Sequence, residues 1–257
     1  MLEVSTVPVL ETEGLERRFG GLLAVKDLTF SINKGEILGI IGPNGAGKTT
    51  VINLVAGIFP PTSGKIIFQG QEIQHLPAHA INRRGVARTF QNVRPLEDFT
   101  ALENIMVGAL FGQGQNLAKA REFAREICDL VSLGNFDRYI DNLTVLDLKK
   151  IEIGRALASK PDLLFLDELM AGLNADETAE MIDVVRHLQS RELTIIVVEH
   201  IMAVVRELTQ RCIVLDGGAI IAEGSYDEVA RQEQVIEAYL GKEAQHAGGK
   251  EFGCYLW

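Results

Sequence analysis

Nine consecutive residues, Gly42-Pro43-Asn44-Gly45-Ala46-Gly47-Lys48-Thr49-Thr50, fit the pattern G-x-x-x-x-G-K-[ST] and combine the groups that hold a chain of phosphates. Glycine has no Cβ, so successive main-chain N–H groups can turn inward around phosphate oxygens. The Lys48 ammonium adds a point charge at the β- and γ-phosphates, and the Thr49 hydroxyl can reach Mg²⁺. A glycine-rich turn without function would leave Lys48 and Thr49 unexplained.

Further reactive groups fall at the ends of apolar runs, where open α/β sheets place their ligands. Asp167 closes the run Leu163-Leu164-Phe165-Leu166 and is placed to hold a Mg²⁺ shell; Glu168 follows it and is placed to orient and deprotonate an attacking water. His200 comes after Thr194-Ile195-Ile196-Val197-Val198 and Glu199, in position to hydrogen-bond a γ-phosphate. Gln91 follows the expected strand Val86-Ala87-Arg88-Thr89-Phe90 and offers an amide oxygen to Mg²⁺ or water. Taken singly, each has a plainer reading: two acids on a solvated turn, a structural histidine, a polar loop residue. A phosphate loop in the same chain favours the chemical one.

The hydrophobic pattern supplies elements to position these groups. Residues 36–41 read as a short buried strand entering the glycine loop, and residues 50–56 as an amphipathic helix leaving it, stopped by Gly57. That order aims a helix N-terminus at the anion. Strand-like runs alternate with helical periods, which predicts an α/β domain with a mainly parallel sheet; Met181, Val184, Val185 and Leu188 mark a helix covering it. Cys212-Ile213-Val214-Leu215, Asp216-Gly217-Gly218 and Ala219-Ile220-Ile221 predict a hairpin with a glycine turn. Lys65-Ile66-Ile67-Phe68 predicts a strand of a small antiparallel layer. Residues 102–157 carry no strand signal and read as an inserted helical lobe.

Composition bounds the function. The chain has 257 residues, enough to bury a large core, with 47% hydrophobic and 23% charged residues, as in ordinary soluble domains. A formal charge of −10 argues against a broad nucleic-acid surface. Cys128, Cys212 and Cys254 are odd in number and widely spaced, so neither a disulfide framework nor a metal site is indicated. The N-terminal residues 1–10 lack the features of a secretion signal, and no apolar run reaches the length of a membrane span.

Together these motifs resemble the ATP-binding subunits of ABC transporters over about residues 10–240. The glycine loop matches that family's Walker A, residues 163–168 its Walker B with Glu168 as catalytic glutamate, Gln91 its Q-loop and His200 its switch histidine. The resemblance implies a P-loop NTPase (RecA-like) core at about 9–94 and 158–241, an antiparallel β layer, a helical lobe at about 95–157, and a flexible tail at 242–257. It implies ATP held by Gly42, Pro43, Asn44, Gly45, Ala46, Gly47, Lys48, Thr49 and Thr50, with Mg²⁺ on Thr49, Gln91 and Asp167. Phe19 stands where the family places an aromatic that stacks on adenine; by itself it reads as core.

The resemblance also implies a head-to-tail dimer in which ATP lies between one subunit's Walker A and the other's signature, usually Leu-Ser-Gly-Gly-Gln. Here that stretch is Leu143-Thr144-Val145-Leu146-Asp147, with both glycines and the glutamine replaced. Thr144 keeps a hydroxyl able to meet a phosphate, yet with Asp147 it also resembles a capping box. Leu146 is expected to crowd the nucleotide and Asp147 to bring negative charge toward it, making an unequal pair of ATP sites. The segment from Asp167 to Asn174 departs from the usual Asp-Glu-Pro start, although Asn174 can still cap the next helix.

Residues 91–104 are expected to border the groove for a permease's coupling helix, with Leu96, Phe99, Leu102 and Ile105 either contacting it or packing the lobe. The run Ala87-Arg88-Thr89-Phe90-Gln91-Asn92-Val93-Arg94 and the closing Val235-Ile236-Glu237-Ala238-Tyr239-Leu240-Gly241 are similar to branched-chain amino acid importers. Urea/amide importers and lipopolysaccharide exporters share much of this pattern, and a soluble ABC ATPase is the other class. The resemblance further implies transmembrane permease subunits, a second ABC ATPase subunit, a periplasmic or extracellular solute-binding protein, and a place on the cytoplasmic face of the membrane.

Overall fold

Continuous apolar runs build the centre of the molecule. The computed structural model describes residues 8–90 and 95–240. In chain order the elements begin with β1 (Leu10–Phe19), β2 (Leu22–Ile32), β3 (Ile37–Ile41), α1 (Lys48–Val55), β4 (Ser63–Phe68), β5 (Gln71–Glu72), α2 (Ala78–Arg83) and β6 (Val86–Arg88). There follow α3 (Ala101–Gln113), α4 (Leu117–Leu130), α5 (Val145–Leu157), β7 (Leu163–Asp167), α6 (Ala175–Ser190) and β8 (Thr194–Val198). The described chain closes with α7 (Met202–Leu208), β9 (Arg211–Asp216), β10 (Ala219–Gly224), α8 (Tyr226–Val229) and α9 (Glu233–Leu240).

One sheet has the order β10-β9-β3-β8-β7-β6, parallel except for the β9–β10 hairpin. Its central strands are buried at every position, and apolar apart from the terminal Asp167 and Thr194, because both faces are covered. In β8, Ile195 and Val197 join a core with the helices α3 to α6, while Ile196 and Val198 face a second core shared with α1 and the other sheet. Leu164 and Leu166 of β7 divide from Leu163 and Phe165 in the same way. The second sheet, β2-β1-β4-β5, is antiparallel, as the strand expected at Lys65-Ile66-Ile67-Phe68 required.

Several expected boundaries move. The helix after the glycine loop starts at Lys48, not Thr50, because Gly47 adopts φ 106° and turns the chain directly into the helix. The strand before Gln91 ends at Arg88, since Phe90 N–H bonds to the Glu152 carboxylate instead of a ladder. Among the described residues 101–157 form helices with one 3₁₀ turn, and the only bridge joins Thr100 to Tyr139. The hairpin turn at Gly217 and Gly218 has φ of 52° and 83°, which is why glycines stand there.

Candidate active site

Three parallel strands end side by side at the site. β3 pairs with β8 and β8 with β7, in a register that aligns Ile40 and Asp167 with Val198. The glycine loop, the Asp167-Glu168 pair and the Glu199-His200 pair therefore leave the sheet at one level, at its carboxyl edge. The loop's shape demands glycine. A Cβ on Gly42 would lie 2.1 Å from Leu215 O, and one on Gly47 would lie 2.7 Å from Ala24 O. Lys48, buried at the start of α1, donates to the carbonyls of Gly42 (2.7 Å) and Pro43 (3.0 Å). Burial pulls its ammonium below the usual lysine range, with Glu168 and Asp167 opposing.

A cleft of about 500 Å³ is lined by Asn44 to Thr50, Phe19, Glu168 and His200. Leu22, Leu23, Ala24, Gly217 and Gly218 complete the wall. These last five escaped the sequence reading. The antiparallel layer and the hairpin clasp the loop, with Gly218 N–H donating to Ala46 O (3.0 Å). Gly217-Gly218 was visible as a turn, but nothing in the chain order linked it to the loop. Phe19 sits at the cleft mouth, half exposed, edge-on to Phe59 at 5.2 Å with the Arg17 guanidinium 4.6 Å from its ring centre.

His200 Nε2 is 2.7 Å from Glu168 Oε1. Asp167 is buried, and burial raises its carboxyl above the usual range, opposed by Arg88 whose guanidinium lies 3.4 Å from Oδ2. Its Oδ1 is buried without a hydrogen-bond partner among the described residues. An orphaned carboxylate oxygen in the same electrostatic neighbourhood as Lys48 is a group that could hold a hard cation such as Mg²⁺, and Thr49, expected as a second ligand, lines the cleft beside Lys48. Among the described residues no group of three or more His, Cys, Asp or Glu could hold a metal alone. Mg²⁺ shared with substrate phosphates needs only one or two protein oxygens. Gln91 lies outside the described residues.

The signature-like stretch lies apart from the cleft lining, and its Thr144–Asp147 pair forms the expected capping box. Thr144 caps α5, its hydroxyl accepting from Asp147 N–H (3.1 Å) while the Asp147 carboxylate accepts from Thr144 N–H (3.2 Å). Arg138 lies 3.1 Å from that carboxylate. The Asp147 charge is thus engaged within this chain. Leu146 is 8% exposed and packs into the helical core, while Val145 is the exposed apolar residue of the turn. The apolar residues after Gln91 also divide. Leu102 and Ile105 are core, whereas Leu96 and Phe99 are exposed.

Comparison with known proteins agrees with this geometry. Residues 25–171 match the family described as ABC transporter, and residues 219–245 the family described as branched-chain amino acid ATP-binding cassette transporter. The chain is 38% identical over 251 residues to the high-affinity branched-chain amino acid transport ATP-binding protein BraF of Pseudomonas aeruginosa, covering 91% of this chain and 98% of that one. It is 37% identical over 251 residues to LivG of Escherichia coli K12, a high-affinity branched-chain amino acid transport ATP-binding protein, with the same 91% and 98% coverage. Among solved structures it resembles the ADP conformation of an ATP-binding cassette of an ABC transporter, at TM-score 0.83 and 29% identity over 92% of this chain and 100% of that one.

Proposed function

The chain belongs to the ABC transporter family as an ATP-hydrolysing, ATP-binding subunit, and we propose that it energises import of branched-chain amino acids, working with Mg²⁺ on the cytoplasmic face of a membrane. The observation that carries the catalytic reading is the single cleft in which the glycine loop, Lys48, Glu168 and His200 share a wall. The named cargo of BraF and LivG supports the amino acid assignment.

In this reading the main-chain N–H groups of the loop and the Lys48 ammonium hold the β- and γ-phosphates, and Phe19 stacks on the base. Thr49 and Asp167 would hold Mg²⁺, which would supply charge neutralisation at the phosphates. Glu168 takes the proton of a water aligned with the γ-phosphorus; the new P–O bond forms as the bond to the bridging oxygen breaks, leaving ADP and phosphate. His200 donates to a γ-phosphate oxygen. Most of the catalysis is positioning and charge stabilisation.

Transmission to permease subunits is assigned to a groove of about 390 Å³ between the sheet and the helical lobe. Ile58, Phe90 and Phe111 line it and are exposed, Phe111 to 73%. Clustered exposed apolar groups of this kind mark contact surfaces. Its described lining includes neither Leu96 nor Phe99. Among the described residues no helix is long and apolar enough to cross a membrane.

Glu168→Gln tests the reading. In the complex purified from membranes, ATP hydrolysis should fall at least about 10²-fold with ATP binding retained, the scale of general-base assistance. Unchanged turnover would remove Glu168 from its role.

A further inference from the structure

Glu168 reaches the cleft from an unfavourable backbone. Its φ is 50°, in the left-handed region that a residue with a Cβ avoids. Such a conformation is strained and lasts only where its surroundings hold it. Glu168 N–H donates to Val198 O at 2.8 Å, which fixes the turn from the β8 side. Two further contacts come from charged side chains. Lys149 Nζ lies 3.4 Å from the Glu168 carbonyl oxygen, and Glu199 Oε1 accepts from Met170 N–H at 2.9 Å.

Both side chains are unusually enclosed, Lys149 at 4% and Glu199 at 2% exposure. Buried charges carry a desolvation cost, and an apolar pair of equal volume is often as stable or more so. Packing alone therefore does not account for them. Their common feature is their target: each holds main-chain atoms of the turn that carries Glu168. The charge of Lys149 also acts on Glu199, and the Glu199 carboxylate bonds in addition to the main-chain N–H of His200. The two thus meet around one turn, Lys149 from α5 and Glu199 from the residue before the switch histidine.

We propose that Lys149 and Glu199 are positioning residues, a buried clamp that sets the main chain of the Glu168 turn and ties it to α5 and to His200. The clamp rests on the reading of Glu168 as the base. Because α5 begins at the Thr144–Asp147 cap, displacement of that helix by a neighbouring subunit would reach the base through Lys149.

The test uses variants that separate reach from charge, in the membrane-derived complex. E199D keeps the charge but shortens the arm by one methylene; E199Q loses the charge but keeps an oxygen for Met170 N–H. K149M keeps the stem and removes the donor. Since misplacement by about 1 Å costs about 10²-fold, E199D and K149M should lower kcat by tenfold to about 10²-fold with the KM for ATP within about twofold of wild type, while E199Q stays within a few-fold. The clamp is overturned if E199D turns over like wild type, if E199Q is as slow as E199D, or if KM rises in step with any loss of kcat. Glu168→Gln in the same preparation separates the two readings. If it stays active, the base assignment fails; if it is inactive while E199D is not impaired, only the clamp fails.

Discussion

His200 Nε2 stands 2.7 Å from Glu168 Oε1, so the group assigned to the γ-phosphate and the group assigned to the attacking water are partners of each other. The contact fixes the direction of the Glu168 carboxylate relative to the imidazole. A γ-phosphate competes for the same donor. His200→Ala should therefore slow hydrolysis by about 10²-fold, the range of a lost positioned hydrogen bond in the transition state, with ATP affinity little changed because the loop and Lys48 remain. Groups acting as a unit are non-additive. His200→Ala placed on Glu168→Gln should then cost nothing further, and a second full loss in single-turnover assays would show that the two act independently.

Phe19 is held edge-on to Phe59 with the Arg17 guanidinium packed at its ring, a preformed arrangement needing little ordering on binding. Stacking of a base on an aromatic side chain is worth about 1–3 kcal/mol by alanine substitution. Phe19→Ala should weaken nucleotide binding by about tenfold or more, Phe19→Tyr hardly at all, and kcat should hold in both. Nucleotide titration reads this directly. Equal affinity for Phe19→Ala would place the base elsewhere.

Much of this was legible because the governing interactions are local or periodic. Leu163 to Leu166 and Ile195 to Val198 are apolar at every position since helices cover one face of the sheet and the second sheet the other. The glycine loop was legible because its backbone excludes side chains. Arg88, Glu152 and Glu199 were not read as part of the site. Arg88 joins Asn53 and Asp167, Glu152 holds Phe90 N–H, and Glu199 holds Met170 N–H, all partners distant in the chain. Leu146, aligned with a signature glycine, packs in the helical core. The helical period through Leu146, Ile153 and Leu157 already marked it as core.

That placement changes what substitution in the signature-like turn should do. Leu146→Ala empties a buried site and should destabilise the chain by about 2–5 kcal/mol, as leucine truncations in cores do, without raising activity. Asp147→Gln is the informative change, since glutamine can still close the capping box with Thr144. It releases the carboxylate from Arg138 and removes negative charge at the start of α5. If the second ATP site of the assembly is slowed by that charge, Val145→Gly with Asp147→Gln should raise ATPase activity of the complex. Denaturant unfolding for Leu146→Ala and steady-state hydrolysis for the double variant check the pair, and lower activity in a stable double variant would count against unequal sites.

Glu199 gives a prediction in pH. Burial pushes its carboxyl from the usual 4.5 up to about 7, while the main-chain N–H groups of Met170 and His200 and the Lys149 ammonium oppose the rise and Glu168 adds to it. A carboxyl raised on folding favours the native state when protonated. Its contribution is complete below about pH 4.5 and is lost as pH climbs toward 7, where the folded form ionises as well. The change across that window is roughly 3 kcal/mol at one pKa unit per 1.36 kcal/mol. Glu199→Gln cannot ionise and should lack this component. The stability of wild type relative to Glu199→Gln should thus fall between pH 4.5 and 7 and flatten above. Parallel profiles for the two proteins in urea titrations would mean that Glu199 is ionised at its ordinary pH, and that the enclosed carboxylate is held by its neighbours more strongly than burial opposes it.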